Sequence, residues 1–136
     1  MPPTDSFRKQ HDEIIEELLK LEVLAQVVPL RAGEVAKQFE CLADKINAHL
    51  AMEDQILYPL LLRSGNSAAV ETARRFQSEM GGLKMRFMKF YSEWSAAKKI
   101  SSNEARFLTQ LADISAALKK RVAKENTELY PLADQI

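Results

Sequence analysis

Apolar residues recur at spacings of three and four along four stretches of the chain, and none shows the two-residue alternation of a strand. The first stripe runs Phe7, His11, Ile14, Leu18, Leu21, Ala25, Val28. The second runs Val35, Phe39, Leu42, Ile46, His49, Glu53, Ile56, Leu60. The third is Ala73, Phe76, Met80, Leu83, Phe87, Phe90, Trp94, and the fourth Phe107, Leu111, Ile114, Leu118, Arg121, Glu125, Leu129, Leu132. Three breaks separate them. Pro29 suits the first turn of a new helix. Ser64-Gly65-Asn66-Ser67 offers a glycine stop followed by capping residues. Lys98-Lys99-Ile100-Ser101-Ser102 ends a segment, and Ser101-x-x-Glu104 reads as a capping box. Helices are therefore expected near 5–28, 30–63, 67–97 and 102–134. Their short connections predict an all-α fold, an up-down-up-down antiparallel four-helix bundle with 1–136 as a single domain.

Five ionisable residues interrupt these stripes: His11, His49, Glu53, Arg121 and Glu125. Burying such groups without a partner or a metal costs several kcal/mol, so whether they meet is decisive. Counting from the turns places them together. His11 lies 18 residues before Pro29 and His49 lies 20 after it, which is roughly 27 and 30 Å of helix. Similar counts around Gly65 and Lys99 bring Met80 and Arg121 to that height, with Glu53 and Glu125 one turn further along. A lone His-x-x-x-Glu has little specificity, and one histidine in an apolar stripe is more often a core residue than a ligand. Two histidines and two carboxylates at one height favour a metal site. The candidate ligands are His11, His49, Glu53 and Glu125, a mixed nitrogen and oxygen set suited to iron, zinc or manganese.

Two segments repeat a frame around those glutamates: HLAMEDQILYPL at 49–60 and RVAKENTELYPL at 121–132. Pro59 and Pro131 each remove a backbone bond and bend the helix, leaving the carbonyls of Gln55 and Thr127 without their usual donor. They read as a device that closes the bundle. Tyr58 and Tyr130 beside them are within reach of the site, but aromatic packing near the kink accounts for them adequately.

Charge and cysteine content narrow the function. Lys plus Arg equals Asp plus Glu at 19 each, against the basic excess of a nucleic-acid binder. Lys119, Lys120 and Lys124 read as a solvated helix face. Cys41 is the only cysteine, which excludes an intrachain disulfide and suggests a reducing, cytoplasmic setting. No run of 18 apolar residues exists, so no membrane span is expected. Neither histidine has a glutamate three places before it, which argues against a ferritin-type enzyme, and no other catalytic constellation is visible.

The segments KQHDEIIEELL, HLAMEDQILYPLL, SEMGGLKMRFMKF and RVAKENTELYPLA together resemble the hemerythrin-like, HHE cation-binding family over nearly the whole chain. The resemblance implies a bundle holding a di-iron centre through several histidines and a pair of carboxylates, in oxygen carriers or sensors, iron sensors and nitrosative-stress proteins. Carried over by position, His11, His49, Glu53 and Glu125 match ligands. Met80 and Arg121 stand where histidines are expected, and Lys84 where hemerythrin proper has another. The charge of Arg121 can replace that of a metal, since its fork engages carboxylates and stays protonated. The expectation is a degenerate site without reversible oxygen carriage, in which a Glu53–Arg121–Glu125 ion-pair cluster replaces di-iron. Two alternatives stand beside it. One is a mononuclear site on the four candidate ligands. The other is a metal-free helical scaffold whose outer face takes a protein partner or forms a homodimer.

Overall fold

The computed structural model describes residues 4–136 as a helical bundle, with no strand among them. Helix α1 spans Asp5–Ala25 and α2 spans Ala32–Met52. A π-helical turn, Glu53–Leu57, then joins α2 to α3, Tyr58–Leu62. Helix α4 covers Ser67–Trp94. A short α5, Ala97–Ser102, precedes α6, Glu104–Lys124. A second π-helical turn, Glu125–Leu129, leads into α7, Tyr130–Asp134.

The turns follow local chemistry, with two departures from the expected boundaries. At the second break Gly65 takes φ 74°, and the Asn66 side chain accepts from the N–H groups of Ala68 and Ala69 at 3.0 and 3.2 Å. That is the glycine stop and side-chain cap the sequence predicts. At the first break α1 stops at Ala25, and Val28 is 91 % exposed rather than part of the core. Pro29 lies in the connection, because the residue before a proline is held out of the helical region, and α2 begins at Ala32. At the third break Asn103 caps α6 by accepting from the Arg106 N–H at 3.2 Å. Ser101 is instead absorbed into α5, whose Ile100 is fully buried.

The two prolines do more than end helices. Each lacks an N–H, so the ordinary ladder fails beside it. The N–H of Tyr58 bonds to the carbonyl of Glu53, and that of Tyr130 to Glu125, five residues back in each case. A π-helical turn takes in one extra residue and rotates everything beyond it. The buried face therefore advances. Leu57, Tyr58 and Leu61 point inward, whereas Ile56 and Leu60 are 49 % and 36 % exposed. In the last span Leu129, Tyr130 and Ala133 are fully buried, and Leu132 only partly.

Two apolar clusters result. The larger includes Leu18, Phe39, Phe87, Trp94, Phe107 and Leu118. The smaller includes Phe7, Leu57, Leu61, Phe76, Leu129 and Ala133. Between them lies a layer of buried polar side chains: His11, His49, Glu53, Arg121 and Glu125. Thr4 closes the end of the smaller cluster, its hydroxyl donating to Asp134 at 2.6 Å.

Candidate metal centre

The site is assembled from three spans. His11 comes from α1, His49 from the last turn of α2, and Glu53 from the first position of the following π-helical turn. Glu125 opens the equivalent turn after α6. The four expected ligands converge: each offers a donor atom, all within 4.8 Å of one another, and all four residues are buried. His11 Nε2 lies 2.8 Å from Glu125 Oε1. His49 Nε2 lies 3.2 Å from Glu53 Oε2 and 3.8 Å from Glu125 Oε1.

Both imidazoles are aimed from behind. His11 Nδ1 faces the Asn126 amide oxygen at 2.8 Å, and His49 Nδ1 faces that of Gln10 at 2.7 Å. With Nδ1–H donating to a carbonyl, each Nε2 is aimed at the interior and, once it gives up its proton, would turn its lone pair to an ion there, the arrangement that orients metal-binding histidines. Gln10 and Asn126 are not singled out by periodicity. The available signal is adjacency, since one precedes His11 and the other follows Glu125.

Arg121 does not bridge the two glutamates as expected. Its Nε donates to Glu125 Oε2 at 2.8 Å. Its Nη2 donates to the Phe76 carbonyl at 2.9 Å and to the Tyr58 hydroxyl at 3.2 Å. The guanidinium lies 4.7 Å from the centre of the Phe76 ring. These contacts hold it against α4 and away from Glu53, with which it forms no ion pair among the described residues. The proposed three-member cluster is thus reduced to an Arg121–Glu125 pair. Glu125 Oε2 is committed to the arginine, and Oε1 turns to the histidines.

Glu53 is left underused. Its Oε2 accepts from the Tyr130 hydroxyl at 2.7 Å, but Oε1 is buried without a partner among the described residues. Tyr130 is the residue that sequence reasoning assigned to packing and the fold places at the centre. Besides Glu53, its oxygen lies 3.0 Å from His11 Nε2, 3.4 Å from His49 Nε2 and 3.4 Å from Glu125 Oε1.

The electrostatics drive the two carboxylates apart in acidity. Burial pushes the Glu53 carboxyl up, and neighbouring Glu125 adds to this, against the opposing bond from His49. Burial also opposes charge on Glu125, but bonds from His11 and His49 and the charge of Arg121 outweigh it and hold that carboxyl well below its usual range. For His49, burial disfavours the cation, yet bonds to Glu125 and Glu53 prevail and raise it to about 9. Burial, then the charges of Glu125 and Glu53, push the Tyr130 phenol far up.

Two imidazole nitrogens and two carboxylates, buried and already converging, make a donor set able to hold a metal ion. A cavity of about 270 Å³ between α2 and α4 reaches Glu53 and is lined also by Asp54, Tyr58, Gln77, Gly81 and Lys84. On the Met80 side a second cavity of about 30 Å³ touches His11, His49, Met80, Arg121 and Glu125. Met80 thus stands in the expected layer, as filler beside the ligands.

The hemerythrin HHE cation-binding domain model matches residues 3–133, and the chain belongs to that family. No curated protein and no solved structure shows significant similarity to the chain. No helix among the described residues is long and apolar enough to cross a membrane.

Proposed function

We propose that this domain binds a single divalent cation, of the iron, zinc or manganese type, through His11 Nε2, His49 Nε2, Glu53 and Glu125. The observation that carries this reading is the unpartnered, buried Oε1 of Glu53 beside three other converging donors. An acceptor kept dry and unsatisfied costs free energy that an ion would recover. Arg121 supports one ion over two. Its fixed charge already offsets one of the two carboxylates, so a second metal would leave a large uncompensated positive charge in an apolar layer. The position of Arg121 against Phe76 and Tyr58 also weighs against its standing in for the metal, because it leaves Glu53 Oε1 without a partner.

The experiment is metal content per chain by mass spectrometry, after purification without a nickel column and reconstitution with ferrous, zinc or manganous ion. About one ion per chain is expected, with loss of binding in Glu53→Gln. About two irons per chain would overturn the single-ion reading. No ion above trace after reconstitution would leave the helical scaffold as the surviving function.

A further inference from the structure

The Tyr130 hydroxyl is not beside the four donors but among them. Its oxygen, His11 Nε2, His49 Nε2, Glu53 Oε2 and Glu125 Oε1 lie between 2.7 and 3.8 Å apart wherever they adjoin. Ligand atoms about 2.1 Å from one ion stand roughly 3.0 Å apart at right angles and roughly 3.6 Å apart at 120°. The phenol oxygen, 2.7 to 3.4 Å from each of the other four, is thus spaced from them as one ligand in a shell is from its neighbours.

We propose that Tyr130 is a direct ligand of the bound cation, binding through its phenolate oxygen. The inference rests on the single-ion reading above and adds an anionic oxygen donor to it. Three features hold the oxygen in place. The ring stacks on that of His11 with centroids 5.0 Å apart. Phe7 packs beside it at 5.9 Å, and the Arg8 guanidinium lies over its face at 5.4 Å. The residue is fully buried, so the side chain has no space into which to withdraw. The oxygen adjoins all four donors, so an ion held by them would have it as a neighbour. As the oxygen–metal bond forms, the phenol O–H bond breaks and its proton leaves to water; no electron is transferred. A third anionic donor also favours the harder, oxygen-seeking ions.

Iron reports directly on this bond. The full chain is loaded with ferrous iron, oxidised to the ferric state with ferricyanide, and its iron content measured beside visible and resonance Raman spectra. A phenolate-to-iron(III) charge-transfer band with enhanced tyrosine ring modes is expected. It should vanish in Tyr130→Phe while iron still binds through the other donors. The chain has three tyrosines, so persistence of the band in both Tyr58→Phe and Tyr91→Phe assigns it to Tyr130 even if Tyr130→Phe does not fold. About one ferric ion per chain without the band overturns Tyr130 as a ligand and leaves the single-ion reading intact. A band lost in Tyr58→Phe also overturns the assignment. Failure to bind iron or any other divalent ion overturns the underlying reading, and this inference with it.

Discussion

Arg121 Nε donates to Glu125 Oε2 at 2.8 Å, while His11 Nε2 sits 2.8 Å from the other oxygen of the same carboxylate. One glutamate is thereby divided between a permanent cation and the ligand set. The pair is buried on both sides, so removing the arginine alone leaves a dry carboxylate without its main counter-charge. Arg121→Met should cost the metal-free protein roughly 3 kcal/mol. The same change raises the net negative charge facing an ion. Saturating zinc or manganese should therefore raise the melting temperature of the variant by more than that of the parent. Thermal unfolding of both proteins with chelator and with ion measures this, and an equal shift in the two would mean that Arg121 does not act on the ion.

Stability of the metal-free protein should fall with rising pH. The folded-state pKa of His49 is raised from 6.5 to about 9. A group raised in this way contributes stability that is complete below its unfolded value and lost as pH climbs through its folded value. The window is thus about pH 6.5 to 9. Glu53, also raised, acts in the same direction, since ionising it is more costly in the fold than in the unfolded chain. Ion binding requires neutral His49 and should strengthen across that window. Melting temperatures with chelator, and zinc affinities, measured at several pH values should slope oppositely. His49→Gln should flatten the stability profile above pH 6.5.

Glu53→Gln separates binding from stability. The buried Oε1 has no partner and burial disfavours its charge, so a neutral amide relieves that penalty while weakening the bond to His49, and the melting temperature of the metal-free protein should move only slightly. Losing an anionic ligand should weaken ion binding at least ~100-fold, about 2.7 kcal/mol. A variant that is both unstable and still able to bind the ion at parental affinity would place the ligand elsewhere.

Much of this was legible in the sequence, because the bundle obeys one helical rule up to the two π-helical turns. The convergence of His11, His49, Glu53 and Glu125 follows from helical rise and short turns, and the fold meets it. Tyr130 was not legible for a physical reason. Reading a uniform α-helix through residues 121–134 puts Leu132 on the core face and Tyr130 at a kink. The proline-linked π-helical turn adds a residue and swings the tyrosine into the site. The same shift at Pro59 exchanges Ile56 and Leu60 for Leu57 and Leu61. Arg121 was placed in the correct layer, but its partners depend on the Phe76 carbonyl and the Tyr58 hydroxyl. No pattern of spacing in one helix reports on groups presented by another.

Gln10→Ala and Asn126→Ala probe the orientation of the imidazoles. Each removes the carbonyl facing one Nδ1, and each should reduce ion affinity roughly 10- to 100-fold with the fold retained. Competition with a calibrated chelator reads the affinity, and circular dichroism the fold. Losses confined to proteins that have also lost helicity would assign these residues a packing role only.

Met80 and Arg121 stand where the resemblance to the family leads one to expect histidines. The cavity of about 30 Å³ touches His11, His49, Met80, Arg121 and Glu125 among apolar neighbours such as Ile46 and Leu118, which places both positions on one small space next to two existing imidazoles. Replacing them together, as Met80→His with Arg121→His, removes the fixed positive charge and adds two nitrogen donors facing that space. It also frees Glu125 Oε2, which now accepts from Arg121, to bridge a second ion. The stoichiometry with ferrous iron should rise from about one to about two per chain, within the spacing of roughly 3.5–4 Å typical of paired sites. Arg121→His alone should not reach two, because the methionine thioether still fills the α4 wall and is a poor donor to such an ion. A folded double variant that still takes up one ion would show that the Met80 side of the layer is not where a second metal fits.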